Sequence, residues 1–341
     1  MPTLALPLHR VQQQALANVL SLLEQGHPRQ LVVMATGVGK TLWSVHLSTH
    51  FRRTLFLVHF EELLHQSVAA FQRNRGQEPG LIWGRRHDLN AEVVVGMIPS
   101  LVHRLERTPP EAFDLVVVDE AHHARSKSWE RVIRRFRPTL LVGLSATPNR
   151  ADGRSLLTLF DTLAFSYRLS EAVRDGFLVP PRILEVSTNR PLRVRRRGED
   201  YDEQQLSHAV DTPERNQVVV ETVGEHARNR KGVVYTAGVR HAQHLAALFR
   251  AHGIAAESVH GQDPERKQKL ERHRRGEYQI FNKPLLLVGG YGDPPLYLGG
   301  VARPTASPAP FLQGLGRPGP VFCEGRTLDG TPHKEFFWVE L

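Results

Sequence analysis

The stretch "LVVMATGVGKT", residues 31–41, decides the fold class of this chain of 341 residues. Its first four residues form a short apolar run typical of a buried strand, and two glycines then lead into a helical pattern. A strand that passes through glycines into a helix turns backbone N–H groups toward phosphate groups. The strict phosphate-loop pattern has glycine where Met34 stands, so the stretch predicts a variant phosphate loop.

Short apolar runs alternate with helical patterns on both sides of this loop. The runs are rich in Val and Leu, which is typical of strands buried on both faces. Between them lie helical patterns such as "EELLHQSVAAFQR" and "SWERVIRRF". The alternation predicts an α/β fold in which parallel sheets are covered by helices. The strands predicted for the first half are 29–36, 53–60, 91–97, 113–120 and 139–147.

A second series of strand and helix patterns begins after residue 180. A chain of this length exceeds what one hydrophobic core usually serves, so two domains are expected, 1–175 and 176–341. Paired prolines and a charged loop lie near the boundary. Within that loop, "RVRRRG" (193–198) could bind phosphates, but a solvated loop is favoured. The strands predicted for the second half are 182–188, 232–237, 255–260, 283–289 and 297–302.

The composition indicates a basic protein of a reducing compartment. Lys and Arg total 44 against 35 Asp and Glu, giving a net charge of +9 that favours a polyanion such as nucleic acid. Arginine richness that merely reflects genome composition is the alternative. The one cysteine, Cys323, allows no internal disulfide. No apolar run is long enough to span a bilayer, and no secretory signal is evident, so a cytoplasmic location is expected.

Two motifs carry residue types suited to ATP chemistry. Lys40 would reach the β- and γ-phosphates, and Thr41 would bind Mg²⁺ through its hydroxyl. In "LVVVDEAHHA" (115–124), Asp119 can bind Mg²⁺ and Glu120 can orient and deprotonate the attacking water. Two acids in a helix N-cap are the alternative explanation. The residues predicted to bind ATP through the loop are Thr36, Gly37, Val38, Gly39, Lys40 and Thr41.

The order of "ATGVGKT", "DEAHHA" and "GLSATPNRADG" resembles the superfamily 2 DEAD/DEAH-box helicases and translocases, particularly bacterial members near RadD, XPB and restriction-enzyme motors. The resemblance implies two tandem RecA-like domains, the first binding ATP and the second completing the helicase. It implies an ATPase that uses ATP and Mg²⁺ to move along or remodel nucleic acid, with DNA favoured over RNA as the partner.

The same resemblance assigns roles to residues outside the two motifs. "HRVQQQAL" is similar to the element that reads adenine, with Gln13 or Gln12 as its glutamine. In "FLQGLGR", Gln313 and Arg317 are the implied catalytic residues of the sixth motif, Arg317 placing charge near the γ-phosphate. The residues that would couple the ATP state to nucleic acid are His122, Ser145, Ala146 and Thr147. Those that would contact nucleic acid are His59, Ser100, Thr236, Arg240 and Thr305.

Several positions depart from the family pattern. Phe60 stands where a basic residue is usual, Gly289 and Gly292 replace two acids, and Pro320 replaces a second arginine. These departures predict an ATPase that is slower and less dependent on nucleic acid than is usual in the family. The alternatives are a pseudo-enzyme that binds ATP and nucleic acid, and a motor subunit with a nuclease or repair protein as partner. Decay or a sequence error could also produce the glycines, since one base change turns an Asp codon into a Gly codon.

Overall fold

The chain divides into two compact units, Met1–Arg168 and Leu169–Leu341, in the computed structural model. The residues described are 4–121, 127–146, 159–178, 181–186, 194–197, 200–227, 230–284, 296–304 and 336–340. The sequence places the boundary at 175/176, slightly later along the chain. The helix Leu169–Arg174 therefore belongs to the second unit rather than the first.

The first unit is built on an eight-stranded sheet in the order β4-β3-β5-β2-β6-β7-β1-β8, parallel except for the short edge strand β4. The strands are β1 (Arg29–Met34), β2 (Thr54–Val58), β3 (Gly80–Trp83), β4 (Arg86–His87), β5 (Val93–Met97), β6 (Leu115–Val118), β7 (Leu140–Ser145) and β8 (Thr162–Tyr167). The helices are α1 (Arg10–Glu24), α2 (Lys40–Ser48), α3 (Glu61–Arg75), α4 (Ile98–Val102) and α5 (Lys127–Arg135), with a 3₁₀ turn at Leu105–Arg107.

Helices cover both faces of this sheet, as the alternation along β1 shows. Leu31 and Val33 belong to one buried cluster, which includes residues of α4 and α5. Val32 and Met34 belong to a second cluster, which includes residues of α1, α2 and α3. Because successive side chains of a strand point to opposite faces, a strand apolar at every position can pack against helices on both sides.

The second unit contains a six-stranded parallel sheet in the order β13-β14-β12-β15-β16-β9. Its strands are β9 (Pro181–Glu185), β12 (Gly232–Thr236), β13 (Ala256–Ser258), β14 (Ile280–Pro284), β15 (Leu298–Val301) and β16 (Phe336–Glu340). A two-stranded hairpin pairs β10 (Arg196–Arg197) with β11 (Asp200–Tyr201). The helices are α6 (Leu169–Arg174), α7 (Glu203–Val210), α8 (Pro213–Ala227), α9 (Val239–Ala251) and α10 (Arg266–Arg274).

The predicted α/β fold is confirmed, and so are the five strands predicted for the first half. One boundary predicted for the second half is wrong, since β14 begins at Ile280 and the predicted strand begins at 283. The two apolar residues that the prediction left out, Ile280 and Phe281, are fully buried. Residues 285–289 of that prediction lie outside the described residues. The sequence also missed β3, β8 and β16, none of which is a long uninterrupted run of Val and Leu. No helix among the described residues has the length and apolar character to cross a membrane.

Gly143 marks the tightest packing against β7, and a side chain there should destabilise the first unit. A Cβ atom on Gly143 would lie 2.3 Å from the Phe160 ring, which is fully buried. We expect Gly143→Ala to lower the free energy of unfolding by about 1–3 kcal/mol, because an overfilled core forces neighbours out of place. Denaturant titration followed by circular dichroism measures the change.

The clash also predicts how Gly143→Ala combines with a smaller residue at 160. Gly143→Ala with Phe160→Leu should be less destabilised than the sum of the two single variants, because Leu leaves room for the new methyl group. Strict additivity of the two losses would show that the Phe160 ring is not the source of the clash.

Candidate nucleotide site

Five parallel strands of the first unit end at one edge of the sheet, and the predicted site residues follow those ends. Ligands of parallel α/β sheets bind at the carboxyl ends of the strands. Strand β7 lies between β6 and β1. Buried Ser145, at the end of β7, therefore lies between the strand that leads into the phosphate loop and the strand that leads into the acids. The segments that open at this edge are residues 35–39 after β1, His59 after β2, α4 after β5, Asp119 after β6 and Ala146 after β7.

The phosphate loop is shaped by two glycines in the left-handed region. Gly37 has a φ of 91° and Gly39 a φ of 85°, values that residues with a side chain rarely adopt. Gly39 is the N-cap of α2 and provides no side-chain cap, so the first N–H groups of the helix are offered to a ligand. A Cβ on Gly39 would lie 2.6 Å from Gln12 Nε2. Glycine is therefore required at 39 for two reasons, the left-handed backbone and the close approach of the Gln12 side chain.

Met34 accounts for the variant form of the loop. Its side chain is fully buried and belongs to the same cluster as Trp43 of α2 and Val19 of α1. The residue that replaces the usual glycine therefore contributes to the core on one face of the sheet. The loop after it keeps its shape because the two glycines nearest to Lys40 are retained.

Gln12, rather than Gln13, connects helix α1 to the loop. Gln12 is buried, and its Nε2 donates to Val38 O at 3.0 Å and to Gly39 O at 3.1 Å. Gln13 is exposed, and its Nε2 donates to Leu8 O at 2.8 Å. The structure therefore favours Gln12 where the sequence favours Gln13, because the buried stripe of α1 carries position 12 inward and leaves position 13 facing solvent.

His9 also connects helix α1 to the loop, and the sequence did not predict this contact. It caps α1, with Gln12 N–H donating to His9 Nδ1 at 3.4 Å and His9 N–H donating to Gln12 Oε1 at 3.1 Å. The second ring nitrogen, Nε2, lies 3.2 Å from Val38 O and donates to it in this tautomer. Burial lowers the pKa of His9 despite that hydrogen bond, which keeps the ring neutral. The three-residue spacing of a capping box was the signal that could have revealed the pair.

The two predicted acids follow β6 in strained and buried surroundings. Burial, and then the charge of Glu120, raise the pKa of Asp119 to about 7, against the opposing effects of Lys40 and the Glu120 N–H. That N–H donates to Asp119 Oδ1 at 3.0 Å. Glu120 has a φ of 52°, a left-handed conformation that non-glycine residues adopt at a cost of about 1 kcal/mol or more. Such costs are typical of functional sites.

Lys40 interacts electrostatically with the first of the two acids, Asp119. Lys40 Nζ donates to Met34 O at 3.3 Å, and its charge lowers the pKa of Asp119, so both motifs act on the same space. A threonine hydroxyl at position 41 and a carboxylate at position 119 are the oxygen donors that Mg²⁺ prefers. These residues fit the ion. Across the described part of the chain, no group of three His, Cys, Asp or Glu side chains forms a separate metal centre.

Asp119 gives the nucleotide-free protein a pH-dependent stability. The folded-state pKa, about 7, lies above the ordinary value of 3.8, so this group costs the folded state stability as pH rises from about 4 to about 7. We expect Asp119→Asn to raise the thermal midpoint at pH 8 by about 2–4 °C, and by less at pH 5. Differential scanning fluorimetry without nucleotide or Mg²⁺ measures both values. A midpoint lowered at pH 8 would contradict the expected cost.

The predicted nucleic-acid contacts differ in how accessible they are. The His59 ring is half-buried and stacks on Trp129 with centroids 5.7 Å apart, and burial lowers its pKa. A neutral ring of this kind suits hydrogen bonding better than charge pairing with phosphate. Ser100 is half-buried in α4. In the second unit, Thr236 is buried with its hydroxyl donating to Gly238 O at 3.0 Å, whereas Arg240 is exposed in the first turn of α9.

Several predicted site residues lie outside the described residues. They are His122, Thr147, Thr305, Gln313 and Arg317, together with the departures Gly289, Gly292 and Pro320. Their roles remain those that the sequence resemblance implies. Of the coupling residues, Ser145 and Ala146 are described, and both lie at the end of β7.

Comparison with known proteins supports the resemblance stated from the sequence. Residues 5–150 match the family "Type III restriction enzyme, res subunit". The chain is 27% identical to the "Putative ATP-dependent helicase IRC3" of Saccharomyces cerevisiae over 91% of this chain and 49% of that protein. It is 24% identical to the "DNA 3'-5' translocase XPB2" of Sulfurisphaera tokodaii, over 85% of this chain and 74% of that protein.

A solved structure extends the likeness to the whole chain. A fragment of "a putative HsdR subunit of a type I restriction enzyme" from Vibrio vulnificus matches 100% of this chain and 66% of its own, with a TM-score of 0.74 and 22% identity. This likeness confirms the fold, two RecA-like domains. The chain spans about half the length of the yeast relative. The chain is thus similar to superfamily 2 helicases and restriction-enzyme motors, as the motifs predicted.

Proposed function

We propose that this superfamily 2-like chain is an ATPase that couples ATP hydrolysis to movement along, or remodelling of, nucleic acid. The observation that carries the proposal is that the glycine loop follows β1 and the acid pair follows β6, the two parallel strands that flank β7, so both motifs open at one edge of the sheet. The charge of Lys40 lowers the pKa of Asp119, which agrees with this placement. A chance glycine turn and an unrelated helix cap would not be expected to share a site. The helicase and translocase names of the relatives support the same activity.

Each residue of the site has a definite task in this proposal. The glycine loop and Lys40 bind and orient the phosphates, while Gln12 and His9 hold the loop through Val38 O. Thr41 and Asp119 would hold Mg²⁺, which supplies charge neutralisation when bound. Glu120 accepts the proton of the water that attacks the γ-phosphorus, and the phosphate–ADP bond breaks. Arg317 would stabilise the charge that develops on the transferred phosphoryl group.

The test is ATP hydrolysis by the purified protein with and without single-stranded DNA or RNA. We expect measurable turnover that nucleic acid stimulates modestly, with DNA the better polymer, and Lys40→Ala serves as the blank. ATP binding without turnover above that blank would contradict the proposal and establish a nucleotide-binding pseudo-enzyme instead. The departures at Gly289, Gly292 and Pro320 are the reason to expect turnover below the norm of the family.

A second candidate is a motor subunit that works with a nuclease or repair protein. The match to a restriction-enzyme subunit family over residues 5–150, and to a restriction subunit fragment over the whole chain, favours it. In that case the stimulation of ATP hydrolysis by DNA or RNA would require a partner chain. Strong stimulation of the isolated protein by single-stranded DNA would speak against such a requirement.

A further inference from the structure

Four polar side chains join three helices of the second unit beneath the turn between β12 and α9. This turn, Ala237–Gly238, follows Thr236 and precedes Arg240, two residues proposed to contact nucleic acid. The inference therefore rests on the proposed function and concerns how this turn is held. The four side chains are Asp211, Asn216, His241 and His244.

His241 reaches back from α9 to the backbone of the turn. The strand β12 ends at Thr236, and the next N–H, that of buried Ala237, donates to His241 Nδ1 at 3.3 Å. Helix α9 begins at Val239, and its N-cap, Gly238, provides no side-chain cap. A side chain at the third helical position can reach back to the backbone before the helix, as the acid does in a capping box. The imidazole of His241 performs this task at α9.

The other side of the ring is anchored to two further helices. His241 Nε2 donates to Asn216 Oδ1 of α8 at 3.0 Å, and Asn216 Nδ2 donates to Asp211 Oδ1 at 2.8 Å. Asp211 is the C-cap of α7, and His244 Nδ1 lies 2.9 Å from its Oδ2. The turn is thereby tied to α7, α8 and its own helix. His241 is 1% exposed, so water does not substitute for these bonds.

The protonation of the network agrees with this arrangement. Burial holds the pKa of His241 at about 4, against the attraction of Asp211 and with a small further lowering from His244. The ring is therefore neutral, with one nitrogen to accept from Ala237 and one N–H to donate to Asn216. Burial raises the pKa of Asp211, but hydrogen bonds from Asn216 and His244 outweigh it and keep the net pKa low. A single assignment of protons therefore satisfies every hydrogen bond that links these four side chains and the Ala237 N–H.

We propose that His241 is a positioning residue that holds the Ala237–Gly238 turn so that Arg240 meets nucleic-acid phosphates in a fixed place. The arginine is exposed and makes the contact, whereas the histidine is buried and makes none itself. Without the ring, the turn has to be ordered when nucleic acid binds, and that ordering reduces affinity. The number of phosphates neutralised stays the same, because Arg240 is still present.

The test compares His241→Leu with Arg240→Ala in the full chain, using a fluorescein-labelled oligothymidylate as probe. Leucine fills a similar volume but makes no hydrogen bond. We expect His241→Leu to weaken binding about tenfold with an unchanged slope of affinity against salt, and with unchanged ATP affinity. Arg240→Ala should weaken binding and also reduce the salt slope by about one. His252→Ala, a change at the exposed far end of α9, should alter neither quantity.

A second variant keeps the inference testable if His241→Leu folds poorly. Asn216→Leu leaves the imidazole in place but removes its anchor, and should also weaken binding. The double variant should bind no worse than His241→Leu alone, since both changes break one chain of bonds. Amide hydrogen exchange of residues 236–241 should be faster than in the wild-type protein in His241→Leu, in Asn216→Leu and in the double variant.

Two results overturn the inference in different ways. If the wild-type protein binds the oligonucleotide and a folded His241→Leu variant binds it equally well, the positioning role is wrong and the proposed function stands. If the wild-type protein binds no DNA or RNA, the proposed function is wrong, and the inference fails with it.

Discussion

Glu120→Gln should reduce the rate of ATP hydrolysis by about a thousandfold while ATP still binds. Glutamine keeps the shape of the side chain but cannot accept the proton of the attacking water. The phosphate loop, Lys40 and Asp119 are unchanged, so the affinity for ATP should stay within about threefold of the wild-type value. A coupled assay for phosphate release gives the rate, and a fluorescent ATP analogue gives the affinity.

The matched control for this change is Glu130→Gln. Glu130 lies on α5, where its carboxylate pairs at the surface with Arg134 at 2.8 Å, so its loss should leave turnover intact. Glutamate and glutamine at position 120 must adopt the same φ of 52°, so the backbone strain is equal in the two proteins. The difference in rate between them therefore reports the role of the carboxylate in hydrolysis. Turnover retained in Glu120→Gln would place the general base elsewhere.

Lys40→Ala should weaken ATP binding by roughly a hundredfold, the effect of losing charged hydrogen bonds to the phosphates. It should also change the nucleotide-free protein. The Lys40 charge lowers the pKa of Asp119, so its removal raises that pKa further and increases the cost of ionising a buried carboxylate. We therefore expect a lower thermal midpoint than wild type at pH 8, measured without nucleotide.

The lower thermal midpoint expected for Lys40→Ala can be distinguished from a general disruption of the loop. In an Asp119→Asn background, Lys40→Ala should no longer lower the midpoint, because no buried charge remains to be compensated. Lys127→Ala, a change at an exposed lysine of α5, should affect neither ATP binding nor stability. If Lys40→Ala lowers the midpoint equally in the wild-type and Asp119→Asn backgrounds, the lysine acts through packing instead.

The central strands of each sheet could be predicted because their burial leaves a mark in the sequence. Residues 115–118 are apolar at every position since helices cover both faces of the sheet, and the two acids follow at once. The carboxyl edge of a parallel sheet then brings the acids to the same edge as the glycine loop. Strand β8 was missed because it lies at the edge of its sheet and is only partly buried, so its pattern is mixed.

The finer features of the site depend on how α1 is rotated about its axis and on contacts between residues far apart in the sequence. Gln12 and Gln13 are the same residue type, and only the phase of α1 decides which one faces the loop. Gln12 lies three residues before Ala15 and seven before Val19, a helical spacing that places it on the buried stripe of α1. The stacking of His59 on Trp129 joins residues from separate elements, and no local pattern indicates such a pair.

The position of β16 has a consequence for the synthesis of the protein on the ribosome. In the second sheet, β16 pairs with β15 on one side and with β9 on the other. Strand β9 leaves the ribosome at residue 185, but its neighbour is not made until residue 336, on the order of ten seconds later at ordinary rates of translation. During that interval every strand described for the first unit has been made, whereas β9 lacks the one neighbour that the described residues give it. A nascent chain would thus carry a finished first unit and an open strand edge, which is the kind of surface that chaperones protect.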